Sequence, residues 1–174
     1  MSVEIKEYSN SLAERFSEEK ERISVILPNE VQIEHVGSSA VGIGGKNIID
    51  ILVGVKNREE MRKVRDLLVQ NGYFEGNDSH EDRIFLASKQ AETGEGDFHV
   101  HICPIDDNSF KDFIILRDFL RANPYKASEY FKKKQEFAKL SGCERKKYKA
   151  LKAKYVSELL DEARKIGLER DLYH

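Results

Sequence analysis

The fold of this chain is decided by two stretches, Glu34-His35-Val36-Gly37-Ser38-Ser39 and Asn47-Ile48-Ile49-Asp50-Ile51-Leu52-Val53-Gly54-Val55. The first is typical of a strand that ends in a Gly-Ser turn, and the second of a mostly buried strand that carries one acidic residue. Such an arrangement can hold a phosphate beside a metal ion, because glycine lets the backbone approach a ligand and unpaired amides at a helix start attract anions. A plain strand-to-helix turn with a serine N-cap fits the same pattern, so both interpretations stay open.

The spacing of apolar residues along the chain predicts a mixture of helices and strands. Helices are predicted over residues 10–26, 57–70, 110–122, 124–140 and 144–166, and strands over residues 31–37, 48–55, 73–74, 83–88 and 97–104. We therefore predict an α/β (α+β) fold, in which helices flank a mixed sheet of about five strands. A single domain over residues 1–174 is expected, with an α/β core over about 10–105 and a helical region over about 106–174 packed on it.

Composition excludes several classes of protein. The net charge is −2 with 34% charged residues, so bulk charge does not favour polyanions or membrane surfaces. The two cysteines, Cys103 and Cys143, form no C-x-x-C pair, which favours a reducing compartment. No apolar run approaches the roughly 18 residues that span a bilayer. We expect a soluble, cytoplasmic protein with no membrane segment.

Strict alternation along residues 97–104 predicts that four side chains share one face of a strand, namely Asp97, His99, His101 and Cys103. The two histidines would lie about 7 Å apart along that strand. Such a pair can bind a metal, hydrogen-bond phosphate or transfer protons, and a solvated sheet face is the alternative. Asp50 interrupts an apolar run, and a half-buried carboxylate needs a cation or hydrogen-bond donors. Either a ligand site or an ion pair with Lys46 would meet that need.

Basic residues are concentrated after residue 110. Arg117 and Arg121 are four apart on one helix face, where they could clamp a polyphosphate or pair with Asp112 or Asp118. Between residues 131 and 155, ten Lys or Arg stand against two Glu, a local net charge of +8. That segment could attract nucleic acid, and a solvated helix face is the other interpretation.

Several of these motifs in combination resemble the GrpB family, also called UPF0157. The matching residues are Glu34-His35-Val36-Gly37-Ser38-Ser39-Ala40-Val41, Lys46-Asn47-Ile48-Ile49-Asp50-Ile51, His99-Val100-His101, Leu116-Arg117-Asp118-Phe119-Leu120-Arg121-Ala122-Asn123-Pro124, Tyr130 with Lys134, and Tyr148 with Lys152 and Tyr155-Val156. Together they run from about residue 33 to residue 156, which is nearly the whole chain.

The resemblance implies a branch of the nucleotidyltransferase superfamily, in which a Gly-Ser turn holds a nucleotide triphosphate and strand carboxylates hold divalent metal. Gly37 and Ser38 match the turn, and Asp50 matches the first metal carboxylate. The second carboxylate would lie two residues on, where this chain has Leu52. Either catalysis has been lost and binding retained, or the metal set is altered. The altered set would consist of Asp50, His99, His101 and Glu34, and would hold Mg, Mn or Zn.

We predict a cleft between the sheet and the C-terminal helices as the site. Its expected members are Gly37, Ser38, Ser39, Lys46, Asp50, Arg83, His99 and His101 on the sheet side, and Arg117, Arg121, Lys134 and Lys152 on the helical side. The inventory favours a nucleotide or phosphorylated small molecule with a divalent metal. A nucleotidyl or phosphoryl transfer is the reaction that the resemblance implies, with Asp50, His99 and His101 as catalytic residues. The alternative is a non-catalytic module whose basic C-terminal helices bind RNA or a partner protein.

Overall fold

The computed structural model describes residues 3–88, 98–142 and 144–171, with side chains described as far as residue 167. The helices are α1 (Ser11–Ser24), α2 (Gly37–Val41), α3 (Arg58–Gln70), α4 (Asn108–Ala122), α5 (Pro124–Leu140) and α6 (Arg145–Asp171). The strands are β1 (Gln32–Val36), β2 (Ile49–Val55), β3 (Tyr73–Glu75), β4 (Ile84–Ser88) and β5 (Phe98–Pro104). Two residues of the sequence argument, Asp97 and Cys143, lie outside the described residues.

The sheet has five strands in the order β1-β2-β5-β4-β3. β2 and β5 run parallel, whereas β1 pairs with β2 and β4 pairs with β3 and β5 in antiparallel fashion. The predicted mixed sheet is therefore confirmed. The register places Asp50 opposite His99 on one side and opposite Val36 on the other.

The two faces of the sheet differ because successive side chains of a strand point to opposite sides. On one face Ile49, Ile51, Val53 and Val55 pack against buried residues of α1 and α3, among them Leu12, Ile23, Met61, Val64 and Leu68. The other face, which we call the polar face, carries Asp50, Leu52, His99 and His101. Phe110 of α4 covers part of it together with Val36, Leu52 and Cys103.

The helix ends follow local signals in the chain. Asn57 caps α3, since its Oδ1 accepts a hydrogen bond from the Glu60 amide at 2.9 Å. Pro124 begins α5, a position where the missing amide of proline costs nothing. α1 ends at Ser24, two residues before its predicted end, and a turn follows in which the amides of Ile26 and Leu27 both donate to the Ile23 carbonyl at 3.0 Å.

The last three helices form a layer beside the polar face. α4, α5 and α6 share an apolar cluster of Phe119, Leu120, Ala127, Tyr130, Leu159 and Ala163. Val41 and Ile43, which follow the Gly-Ser turn, pack against the same cluster. The helical layer is thereby fixed over the turn. Within the described ranges, no helix has both the length and the apolar character that crossing a bilayer requires.

Candidate binding cleft

A cavity of about 430 Å³, which we call the cleft, opens between the polar face and the helical layer. Most of the predicted site residues line it: Gly37, Ser38, Ser39, Lys46, Asp50, Arg83, His99, His101, Arg117, Lys134 and Lys152. Of the predicted set, Glu34 and Arg121 are not among the described residues that line it. The structure thus brings residues from both halves of the chain to one place.

The Gly-Ser turn is shaped around Asp50. Gly37 has a φ of +74°, in the left-handed region that favours glycine. A Cβ at this position would collide with Oδ2 of Asp50. A glycine in this turn was expected to let a ligand approach the backbone closely. In the structure, the Asp50 carboxylate makes that close approach to Gly37.

Two imidazoles face the same carboxylate. Nε2 of His101 lies 3.2 Å from Oδ1 of Asp50, and Nδ1 of His99 lies 3.8 Å from the same oxygen. Burial raises the pKa of Asp50, but the hydrogen bond with His101 and the electrostatic effects of His101, His99 and Lys152 outweigh it and bring the pKa well below its usual value. Asp50 is therefore ionised and already engaged by neighbours.

Aromatic rings from β4 and α4 pack against the two histidines. The Phe85 ring lies edge-on to His99, with centroids 4.9 Å apart. Phe113 of α4 lies 4.7 Å from the His101 ring. Nδ1 of His101 is buried without a hydrogen-bond partner among the described residues.

Lys134 crosses from α5 to the Gly-Ser turn. Its Nζ donates to Ser38 Oγ at 2.7 Å and to the Gly44 carbonyl, and lies 4.9 Å from the centre of the Tyr130 ring. Only 1% of the residue is exposed. Burial, together with the charges of Lys152 and Lys46, lowers the pKa of Lys134 from 10.5 to about 7, against the opposing charge of Asp50.

Lys46, Lys152 and Arg83 complete the positive lining. Burial first, and then the charge of Lys152, lowers the pKa of Lys46 to about 8. Its Nζ lies 5.9 Å from the Tyr148 ring centre. In the part of the chain that the structure describes, Lys46 forms no ion pair with Asp50, the rival role that the sequence left open. Nε of Arg83 is buried without a hydrogen-bond partner among the described residues.

The two arginines of α4 have partners within the protein. Arg117 donates from Nη1 to Glu34 Oε2 at 2.7 Å and from Nε to Asp118 Oδ1 at 2.8 Å. Arg121 donates from Nε to the Ala40 carbonyl at 2.9 Å. Both residues therefore join α4 to β1 and α2. The predicted polyphosphate clamp is not formed by this pair, since Glu34 and Asp118 neutralise Arg117 and Arg121 lies away from the cleft.

Ser39 has a partner that the sequence did not indicate. Its Oγ lies 2.8 Å from Nε2 of His35, and the His35 ring stacks on Phe16 with centroids 4.2 Å apart. Burial, followed by the nearby arginines, lowers the pKa of His35 to about 4, with Asp50 acting in the opposite direction. His35 is thus neutral at physiological pH.

Among the further cleft residues that the predicted site did not include are Asp78, Arg145, Tyr148 and Lys149. Lys149 forms an ion pair with Asp78 across the cleft. Arg145, Lys149 and Lys152 follow one another at intervals of four and three on α6. That spacing places them on one helix face and could have identified them.

The residues present do not fit the metal pair that the fold family implies. Within residues 3–88, 98–142 and 144–171, no three His, Cys, Asp or Glu side chains are placed to hold a metal ion. Glu34, expected in the metal set, is bonded to Arg117. Leu52 occupies the place of the second carboxylate and is fully buried against Val36, Cys103 and Phe110. A two-ion site needs several acidic ligands to offset the charge of the ions. Of the carboxylate pair that the fold family implies, Asp50 is present, and Asp78, the other carboxylate among the described residues that line the cleft, is paired with Lys149.

Comparison with known proteins decides the family. The family model described as GrpB protein matches residues 2–162. The chain belongs to the GrpB family. A UPF0157 protein of Deinococcus radiodurans is 33% identical over 153 residues, which cover 87% of this chain and 77% of that protein. The glutamate-rich protein GrpB of Alkalihalophilus pseudofirmus is 28% identical, covering 89% of this chain and 92% of the relative. YqkA of Bacillus subtilis, a UPF0157 protein, is 32% identical over 78% of this chain, which spans only 40% of YqkA.

Solved structures confirm the fold of this GrpB member. The crystal structure of the conserved protein GrpB from Enterococcus faecalis superposes with a TM-score of 0.81 at 27% identity, covering 95% of this chain and 99% of that one. Terminal uridylyl transferase 4 from Trypanosoma brucei, with bound UPU, superposes with a TM-score of 0.53 at 14% identity, covering 80% of this chain and 48% of the transferase. The second likeness shows that the nucleotidyltransferase-like fold is shared.

Proposed function

We propose that the cleft of this GrpB protein binds a nucleotide or another phosphorylated small molecule. The observation that carries the proposal is the convergence of Lys46, Arg83, Lys134 and Lys152 in one cavity of about 430 Å³. The acidic residues that line the same cavity are engaged: Asp50 faces His101, and Asp78 is paired with Lys149. A phosphate group would offset the surplus positive charge, because guanidinium and ammonium groups are strong hydrogen-bond donors to phosphate oxygens.

The apolar part of the lining suits an organic group attached to that phosphate. Phe113, Leu116 and Tyr148 line the cavity together with the cations. Small-molecule sites combine a largely apolar wall with a few placed polar groups. The transferase that shares the fold is described with bound UPU, which makes nucleotides the first compounds to test.

Isothermal titration calorimetry of the purified chain with ATP, CTP, GTP, UTP, AMP and inorganic phosphate tests the proposal. Lys152→Ala should weaken binding by roughly tenfold or more, since it removes one charged hydrogen-bond donor from the cleft. Lys147→Ala is the matched control, because Lys147 is exposed on the same helix and is paired with Glu144. No binding of any compound, or equal binding by Lys152→Ala and the wild-type protein, would defeat the proposal.

Nucleotidyl transfer is a further hypothesis for this cleft, with Asp50, His99 and His101 as the reacting side chains. In that reaction the acceptor hydroxyl oxygen bonds to the α-phosphorus of a bound nucleoside triphosphate, its proton passes to His99 or His101, and pyrophosphate leaves as its bond to the α-phosphorus breaks. Incubating the protein with radiolabelled nucleoside triphosphates and an RNA or small-molecule acceptor, followed by chromatography, tests it. Release of labelled product that His101→Ala abolishes is the expected result.

A second candidate function is RNA binding by the exposed basic residues of α6. Arg145, Lys146, Lys147, Lys149 and Lys154 are all exposed. Backbone contacts with single-stranded RNA should weaken with salt, with a log–log slope of roughly −0.7 per contacted phosphate. The double change Lys146→Glu and Lys147→Glu should abolish RNA binding and leave nucleotide affinity intact, because neither residue lines the cleft.

A further inference from the structure

We infer that the cleft holds its phosphate group with protein cations alone, so that its ligand is a metal-free phosphomonoester or phosphate anion and not a metal-bound triphosphate. The inference rests on the proposed function and adds the chemical class of the ligand. It goes against the expectation of the shared fold, in which a carboxylate pair holds divalent metal.

The lining of the cleft carries more cationic than anionic side chains. Lys46, Lys134 and Lys152 all line the same cavity, and the charge of Lys152 contributes to lowering the pKa of both other lysines. Arg83 adds a guanidinium whose Nε is buried without a hydrogen-bond partner among the described residues. A divalent cation would enter a region that is already positive, whereas a phosphate dianion would neutralise it.

The two carboxylates among the described residues that line the cleft already have partners, since Asp78 is paired with Lys149 and Asp50 lies beside two histidines. Nε2 of His101 lies 3.2 Å and Nδ1 of His99 lies 3.8 Å from Oδ1 of Asp50, so two imidazole nitrogens already lie beside this oxygen. Leu52 leaves no second carboxylate to bridge two ions, and its side chain is fully buried in an apolar cluster. The Asp50 carboxylate is therefore a partner of the two histidines beside it and not a metal ligand.

Lysine protonation provides a readout that distinguishes an anion from a metal. Lys46, whose pKa is about 8, is faced by Lys152, Arg145, Lys149 and Asp50. Lys134, whose pKa is about 7, is faced by Lys152, Lys46 and Asp50. A bound anion favours the charged lysines and so raises both pKa values, which means that binding near pH 8 takes up protons. Metal binding to histidine or carboxylate side chains releases protons or leaves them unchanged.

The experiment is calorimetry of the full chain with inorganic phosphate, AMP and ATP, each measured in EDTA and again with Mg²⁺, Mn²⁺ or Zn²⁺. Titrations at pH 8 in two buffers of different ionisation enthalpy give the number of protons exchanged. We expect inorganic phosphate or AMP to bind with the same affinity in EDTA as with metal, and with net proton uptake. ATP should gain nothing from Mg²⁺.

Asp50→Asn distinguishes the two models at a single residue. If protein cations hold the anion, removing the negative charge of Asp50 should leave phosphate affinity in EDTA unchanged or severalfold tighter. If Asp50 carries a metal, the same change should abolish metal-dependent binding. Thermal unfolding checks that the variant is folded. If it is not, the comparison of wild-type binding in EDTA and with metal still tests the inference.

The outcomes separate this inference from the proposed function. Binding that EDTA abolishes would overturn the inference and leave the proposed function intact. Direct binding of Mn²⁺ or Zn²⁺ that Asp50→Asn removes would also overturn it. Failure of every phosphate compound, with and without metal, would defeat the proposed function itself.

Discussion

Nζ of Lys134 lies 2.7 Å from Oγ of Ser38, although the two residues stand 96 positions apart in the chain. The contact joins the fifth helix to the turn that begins the site, and the same nitrogen bonds the Gly44 carbonyl. Lys134 is 1% exposed, and burying a charged ammonium group costs free energy. Its role is therefore more than keeping the protein surface soluble. These hydrogen bonds hold the helical layer against the Gly-Ser turn.

The buried lysine should make stability depend on pH. The pKa of Lys134 is 10.5 in an exposed chain and about 7 in the folded protein, so the unfolded state binds more protons between these values. The free energy of unfolding of the wild-type protein, relative to Lys134→Met, should therefore rise between pH 7 and pH 10 by at most about 1.4 kcal/mol per pH unit. Urea unfolding at several pH values measures it. Lys132→Met, at an exposed position of the same helix, is the matched control, and an equal pH profile for both variants would contradict the prediction.

Gly37→Ala should destabilise the protein more than Gly42→Ala. Both glycines have positive φ, +74° and +80°, so each alanine carries a conformational cost of roughly 1 kcal/mol. Only at position 37 would the new Cβ meet the Asp50 side chain, whereas nothing lies within 4 Å at position 42. Chemical denaturation should show an additional loss of roughly 1–3 kcal/mol for Gly37→Ala. Equal losses would mean that the turn and Asp50 can separate without strain.

Arg117→Ala should cost roughly 1–3 kcal/mol of stability, because it leaves Glu34 without the charged donor that reaches it from α4. The side chain of Arg117 is 11% exposed but that of Glu34 is 40% exposed, so water compensates Glu34 in part and the loss should lie toward the lower end of that range. Arg121→Ala should cost less, since its bond to the Ala40 carbonyl is exposed. A double-mutant cycle of Arg117→Ala with Glu34→Ala measures the coupling energy. A coupling of zero would mean that the pair does not hold α4 to β1.

His35 should remain neutral through the mildly acidic range. Its pKa falls from 6.5 to about 4, chiefly through burial beneath Phe16, so the unfolded chain binds the extra proton first. Stability from this group is complete above pH 6.5 and is lost as the pH falls from 6.5 toward 4. NMR of the imidazole resonances should show no His35 titration between pH 7 and pH 5. A titration midpoint near 6.5 would mean that the ring is exposed in solution.

The amino-acid sequence by itself determined the faces of the central strands. The period of two along β2 and β5 requires that Asp50 and Leu52 share a side, and likewise His99 and His101, because side chains alternate across a strand. The five-strand mixed sheet, the start of α5 at Pro124 and membership of the GrpB family were all predictable from local pattern and motif. The strand faces and the start of α5 depend on residues close in the chain, and the family assignment depends on several such motifs in combination.

Only the tertiary structure decided which charges meet. Arg117 and Arg121 share a helix face as their spacing requires, yet Glu34 and the Ala40 carbonyl, which lie more than 80 positions earlier in the chain, take their hydrogen bonds. Lys134 likewise meets Ser38, while Lys146 and Lys147 from the same basic segment stay exposed. Spacing along a helix sets the direction of a side chain, but the packing of one element on another sets the distance to its partner. That packing depends on apolar contacts spread over the whole chain, which no local motif contains.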